Sequence, residues 1–207
     1  LGAHYTRELN ILKALKPLFL DDLKAELEKL RVSRSTARTS QPRTFLDKLA
    51  TIRILDPACG CGNFLVVAFR ELKELELQVL QTLRADDPKF LMLNVKLITK
   101  VSIDQFYGIE LEEFPAEVAR VSMWLMEHVM NVKFGKSLGG VFPSIPLQHS
   151  ATIVCANALT TPWESVVAPE KLDYIMGNPP FVGHQWRNPK QQDDMTHVYK
   201  SSSFGKL

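Results

Sequence analysis

Four short apolar runs punctuate this chain, and between them lie stretches of helical periodicity. The runs are Ile52-Arg53-Ile54-Leu55, Phe106-Tyr107-Gly108-Ile109, Thr152-Ile153-Val154-Cys155 and Leu172-Asp173-Tyr174-Ile175-Met176. Each is the right length for a buried strand and too short for a helix. From Phe64 to about Leu83 one stripe collects Leu65, Ala68, Phe69, Leu72, Leu75 and Val79. From Ala116 to about Val132 a second helix is expected, with Val118, Val121, Leu125 and Val129 turned inward. Strands separated by helices argue for an open, mostly parallel sheet with helices on both faces. The fold class is α/β.

Each run ends in a turn that carries a polar residue: Asp56, Glu110, Asn157 and Asn178. In an open parallel sheet, ligands bind in the crevice beyond the carboxyl ends of the strands. Four polar residues gathered on that rim make it the expected site.

The first of these turns reads Asp56-Pro57-Ala58-Cys59-Gly60-Cys61-Gly62-Asn63. Two glycines two apart allow a tight turn and let a ligand approach the main chain. Asn63 is placed to cap the following helix. A dinucleotide fingerprint needs a third glycine at 65, where Leu65 stands, and no GK[ST] triphosphate loop exists. The turn therefore suits a nucleoside-like ligand without a pyrophosphate. Glu110, at the next strand end, can accept hydrogen bonds from both hydroxyls of a ribose.

The fourth turn is Asn178-Pro179-Pro180-Phe181. Two prolines cannot continue a central strand, because each lacks the N–H that the ladder needs. They hold the chain extended, so the Asn178 side-chain oxygen and the Pro179 peptide oxygen point in fixed directions. Acceptors fixed in that way orient an amino group for attack on an electrophilic carbon. Phe181 adds a flat face on which a base stacks.

The rest of the chain is plainer. Leu12, Leu15, Leu18, Phe19, Leu23, Leu27 and Leu30 recur at helical spacing, with Pro17 expected to kink the helix or divide it in two. Arg31 to Arg43, rich in Arg, Ser and Thr, reads as an exposed connector whose four arginines are solvated. Lys+Arg exceeds Asp+Glu by 25 − 23 = 2, so charge neither requires nor excludes a nucleic-acid partner. Three cysteines are too few for a disulfide framework, and Cys59-x-Cys61 lacks the spacing of a zinc hairpin. The five histidines show no ligand spacing, so no metal is expected. No apolar run approaches the roughly 20 residues that span a bilayer. With no signal-peptide pattern either, a cytoplasmic setting is expected.

The two rim motifs carry a resemblance. Asp56 through Leu65 is similar to the S-adenosylmethionine loop of amino-methylating DNA methyltransferases, and Asn178-Pro179-Pro180-Phe181 resembles their catalytic tetrapeptide. The opening Gly2-Ala3-His4-Tyr5-Thr6 resembles the segment that precedes this loop in the gamma class of adenine methyltransferases. The wording of that opening, and that around Cys59 to Gly62, is most similar to MmeI-type restriction-modification enzymes. The resemblance covers most of residues 2 to about 199. It implies a Rossmann-like, S-adenosylmethionine-dependent methyltransferase acting on the exocyclic amino group of adenine in DNA.

Carried onto this sequence, the resemblance implies that Tyr5 and Thr6 touch the methionine part of the cofactor. Asp56, Pro57, Ala58, Gly60, Gly62 and Asn63 would line its methionine and ribose, and Glu110 would hold the ribose hydroxyls. Asn157 stands where relatives often carry an acidic residue near the cofactor adenine. Asn178 and Pro179 would accept hydrogen bonds from the target amino group, with Pro180 stiffening the turn and Phe181 stacking on the base. The base must be flipped out, because its amino group is otherwise inside the duplex.

The expected organisation is a helical segment over 1–50, a catalytic core over 51–200 and a tail over 201–207. After Phe181 the sequence is polar and shows no further strand–helix repeat. The family's sheet has more strands, and its target-recognition region lies farther on. The chain is accordingly expected to be an incomplete core that does not select a DNA site unaided. Its expected partners are double-stranded DNA, met largely through regions outside this chain, and the remainder of the methyltransferase, recognition and nuclease polypeptide. Two alternatives stay open: an RNA or protein-glutamine amino-methyltransferase, whose Asn-Pro-Pro-aromatic turn is similar, and a truncated remnant that transfers nothing.

Overall fold

The computed structural model describes residues 6–32, 40–86, 99–139, 150–180 and 186–199. Two helices, α1 (Glu8–Leu15) and α2 (Asp21–Val32), are joined by a π-helical turn over Lys16–Leu20. Pro17 sits in that turn. Its ring cannot donate to the helical ladder, and the wider turn absorbs the missing bond. The extra residue shifts the apolar phase. Ile11, Leu15, Phe19, Leu20, Leu23 and Leu27 are buried, whereas Leu18, read as part of the apolar stripe, is 40% exposed.

The connector read over Arg31 to Arg43 is shorter than expected at both ends. Arg31 still belongs to α2, where it pairs with Glu28 at 3.1 Å, and α3 spans Ser40–Thr51. Pro42 falls in the first turn of α3, where backbone N–H groups have no helical acceptor, so proline costs nothing there. Arg34 and Arg38 lie outside the described residues.

The sheet comprises β1 (Ile54–Asp56), β2 (Phe106–Glu110), β3 (Thr152–Cys155) and β4 (Tyr174–Ile175). All pairings are parallel and the order is β3-β2-β1-β4. The chain steps outward from β1 to β3, then returns to the other side of β1. That reversal is the kind of point where α/β sheets open a ligand crevice. The long crossovers contain α4 (Asn63–Asp86) and α5 (Glu113–Leu138). On one face Phe69 meets Phe106 edge-on at 5.5 Å, within a cluster that includes Leu72, Leu80, Met123 and Phe134. On the other, Leu55, Ile109 and Val167 form a smaller cluster, packed against Tyr107, Trp163 and Leu172.

Two readings of the sequence need correction. In α5 the inward residues are Ala116, Ala119, Met123, Met130 and Phe134, whereas Val121, Leu125 and Val129 are 53%, 49% and 54% exposed and Val118 is half-buried. Both stripes have helical spacing, but only the one with small residues lets the helix approach the first loop. A β-carbon built on Gly62 would lie 3.1 Å from Ala119 Cβ. The polar stretch after Phe181 also contains a helix, α6 (Pro189–Tyr199). It opens on a reciprocal cap: Asn188 Oδ1 accepts from Gln191 N–H at 2.8 Å, and Gln191 Oε1 accepts from Asn188 N–H at 3.0 Å. Among the described residues no helix is long and apolar enough to cross a membrane.

Candidate active site

The turn after β1 is built around a buried carboxyl group. Asp56, only 1% exposed, accepts the Ala58 N–H at 3.0 Å through Oδ1. Burial pushes this carboxyl up to about 7; the Ala58 bond pulls the other way, and the nearby charge of Glu110 adds a smaller push. Pro57 and Ala58 are half-buried. Cys59 is buried, and burial pushes its thiol far up, which suits a packing residue rather than a nucleophile.

Gly60 and Gly62 follow with φ of +55° and +84°, a region that favours glycine. Gly62 tucks beneath Ala119, whereas no atom of the described residues lies within 4 Å of the position a Gly60 side chain would take. Gly60 thus borders space that no described residue fills. Asn63 does not cap α4 as expected. It is the first helical residue, and the preceding Gly62 carbonyl accepts the first helical bond, from Val66 N–H at 2.9 Å.

Glu110, at the end of β2, holds this turn in place. Its Oε2 accepts the Gly60 N–H at 2.9 Å and its Oε1 accepts the Glu112 N–H at 3.0 Å. A carboxylate offers about four acceptor sites, so both oxygens can still receive hydroxyl groups. Cys59 N–H donates to the Ile109 carbonyl at 3.0 Å, a second tie between turn and strand.

The turn after β4 lies directly beside Asp56. Met176 N–H donates to the Leu55 carbonyl at 2.9 Å. A β-carbon on Gly177 would overlap Asp56 Oδ1, so only glycine lets the two turns come this close. Asn178, Pro179 and Pro180 are exposed on the rim. Asn178 Nδ2 donates to Thr6 Oγ1 at 3.1 Å, which brings the start of the chain to the fourth turn. Tyr5 and Phe181 lie outside the described residues.

Asn157 completes the rim just past β3, where Ala156 N–H donates to the Glu110 carbonyl at 2.8 Å. Its Oδ1 accepts the Leu159 N–H at 3.0 Å, and its Nδ2 donates to Asp194 Oδ2 on α6 at 2.8 Å. The strand order therefore sets out Asn178, the Gly60 turn, Glu110 and Asn157 in sequence along one rim.

Three features of this site escaped the reading of the sequence. The sequence gives Gly177 no part, the bond from Asn178 to Thr6 comes in addition to the cofactor contact expected of Thr6, and Asp194 is not singled out. Only for the last was a local signal present, since Asn188 and Gln191 announce the helix that carries it.

The arrangement gathers on one rim a glycine turn, the Glu110 carboxylate and the exposed Asn178-Pro179-Pro180 turn, a set able to receive a nucleoside-containing ligand beside an amino group. Among the described residues no group of three or more His, Cys, Asp or Glu is disposed to hold a metal ion.

Comparison with known proteins yields a consistent picture. Residues 32–207 match the family model described as the MmeI DNA-methyltransferase domain. The chain is 35% identical over 214 residues to DNA methyltransferase A of Bacillus subtilis (strain 168), covering 100% of this chain and 23% of that protein. It is 27% identical over 130 residues to the methylase subunit of the type I restriction enzyme EcoEI of Escherichia coli, covering 63% and 19%. Among solved structures, the type IIL restriction-modification enzyme MmeI in complex with DNA matches at a TM-score of 0.91 and 43% identity, over 100% of this chain and 27% of that one. The chain thus spans about a quarter or less of the length of these relatives.

Proposed function

The chain belongs to the MmeI DNA-methyltransferase family, and from that premise we propose that it forms the catalytic core of an S-adenosylmethionine-dependent, adenine-specific DNA methyltransferase of a restriction-modification system. The observation that carries the proposal is the placement of the Gly60 turn and the Asn178 turn at the carboxyl ends of adjacent strands, in contact through Gly177 and Asp56.

The described residues suit the cofactor. Gly60 opens a space free of side chain, Glu110 presents acceptors for a diol, and Asp56 and Ala58 line the same turn. When bound, the cofactor supplies a methyl group activated by an adjacent sulfonium. Asn178 gives its amide nitrogen to Thr6, which leaves Oδ1 as an acceptor for one hydrogen of the target amino group. The Pro179 carbonyl accepts the other. Held by these two acceptors, the amino group would offer its nitrogen lone pair for N–C bond formation as the sulfonium C–S bond breaks, a neutral thioether leaving and one N–H proton passing to water, with no covalent enzyme intermediate. Pro180 keeps the two acceptors rigid, and Phe181 stacks on the extruded base. The double-stranded DNA itself is met largely by parts of the protein outside this chain.

The test is methyl transfer by the full-length protein to duplex DNA, RNA and protein, with the product identified by mass spectrometry. N6-methyladenine in duplex DNA is the expected product. 4-Methylcytosine would overturn the adenine assignment, and methylated RNA or glutamine would move the enzyme to another substrate class.

A further inference from the structure

Helix α5 is apolar on two opposed faces. One face, with Ala116, Ala119, Met123, Met130 and Phe134, is buried in the core. The other carries Phe114, Val118, Val121, Leu125, Val129 and Val132, which recur at steps of three and four residues. This second stripe runs two positions out of phase with the first. Two positions turn about 200° round a helix, so the stripe points away from the core. Phe114 is 78% exposed, Val132 is 40% exposed, and Val121, Leu125 and Val129 are each about half exposed.

The chain does not finish its other helices in this way. The outward positions of α2 are Asp22, Lys24, Glu28 and Lys29. Single exposed aliphatic side chains are ordinary, but a contiguous row marks a contact surface, and a helix apolar all round belongs inside a larger body. From residue 114 to residue 132 the stripe is about 27 Å long at 1.5 Å per residue. Its three- and four-residue steps are those of a seam into which the side chains of a second helix fit.

The size of the stripe decides between two occupants. With roughly 60–120 Å² for a whole aliphatic side chain and about 200 Å² for an aromatic one, its exposed portions amount to about 400 Å². Two copies laid face to face would bury about 800 Å², short of the roughly 1,000 Å² that a specific association of separate chains requires. A tethered segment needs less area, because the link holds it at high effective concentration. The relatives provide for such a segment: the whole of this chain corresponds to 23% of DNA methyltransferase A and to 27% of the MmeI chain.

We propose that the outer stripe of α5 is the seat of an apolar-faced helix supplied by the same polypeptide outside residues 1–207. The core is thereby joined to the rest of the protein along α5, and the second apolar face of that helix is buried once the full-length chain folds.

The test uses the full-length protein with a benzophenone amino acid in place of Val129, an exposed position that a bulky group enters without disturbing the core. After irradiation, mass spectrometry of the digest is expected to join residue 129 to a peptide outside 1–207. An equal mixture of light and 15N-labelled protein is expected to give no mixed pairs, since the contact lies within one molecule. Independently, Val129→Cys is expected to be alkylated at least about 10-fold more slowly in the folded full-length protein than in urea, read at its own peptide. Mixed isotope pairs would make the occupant a second copy and overturn the proposal. A cross-link that stays within residues 1–207, one to an unrelated protein, or alkylation at the unfolded rate would overturn it as well.

Discussion

Asn178 Nδ2 donates to Thr6 Oγ1 at 3.1 Å, joining the fourth strand's turn to the first described residue of the chain. The hydroxyl holds the amide edge of a side chain that is otherwise exposed on the rim. Replacing Thr6 by Val removes the acceptor at nearly constant volume. We expect turnover to fall about 10-fold, the effect of one hydrogen bond near 1.4 kcal/mol, with cofactor affinity changed little. Thr6→Ser should restore it. Asn178→Ala removes the acceptor itself and should abolish transfer while leaving cofactor binding largely intact. Single-turnover kinetics together with equilibrium titration separate the two effects, and parallel loss of affinity in either variant would contradict the assigned roles.

Gly177 is a further point of contact between the two turns. Its missing side chain is replaced by Asp56 Oδ1, so Gly177→Ala should destabilise the fold by about 1–3 kcal/mol through overpacking. Asp56→Ala clears the overlapping oxygen. In the double variant the two losses should not add, and urea unfolding of the four proteins measures the coupling. Strict additivity would mean that the turns do not touch.

The parts legible in the sequence were those governed by local rules. The runs at 106–109 and 152–155 announce β2 and β3 because parallel strands are short and apolar, although β3, at the end of the strand order, buries only Ile153. Leu65, Phe69 and Leu72 announce α4 because the expected stripe is buried along its length, although Val67 and Leu77 on other faces are buried too. In α5 two stripes compete, and the choice between Val121 and Ala119 depends on how closely Gly62 must approach, a tertiary fact with no local trace. The Glu110 carboxylate was legible as a ligand for hydroxyls but not as the clasp on Gly60, since that bond spans 50 residues. Asn188 and Gln191 announce the helix that carries Asp194, but its bond to Asn157 spans 37 residues and leaves no local trace. Its helix is polar, and what gives the residue meaning is Asn157 on a different element.

Asp56 ties cofactor affinity to pH. Its carboxyl, held at about 7 by burial, is substantially protonated near neutrality in the free protein. A cationic methyl donor seated beside it favours the ionised form, so binding should release a proton. The sign follows: S-adenosylmethionine affinity should rise as pH increases from 6 to 8 and level off above. Calorimetry in two buffers of different ionisation enthalpy counts the released proton. Asp56→Asn, which keeps an acceptor for Ala58, should flatten the profile. An unchanged profile in that variant would assign the proton to another group.

A second buried carboxyl lies away from the rim, in α5. Glu127 is 8% exposed, and its Oε2 has no hydrogen-bond partner among the described residues. Burial pushes the carboxyl up to about 7, with Lys73 pulling it down and Asp104 pushing it up. In the unfolded chain the group titrates near 4.5. Between those two values the folded protein holds a proton that the unfolded chain has released. Its favourable contribution is therefore complete below about pH 4.5, declines as pH rises toward 7 and is flat beyond. At 1.36 kcal/mol per unit the full decline is at most about 3 kcal/mol. Glu127→Gln, neutral at every pH, should match the parent at pH 4.5 and exceed it in stability at pH 8. Asp56 declines over the same range, so the variant should keep a smaller slope rather than none. Urea midpoints at the two pH values give the comparison, and equal slopes for parent and variant would show that Glu127 is ionised in the fold.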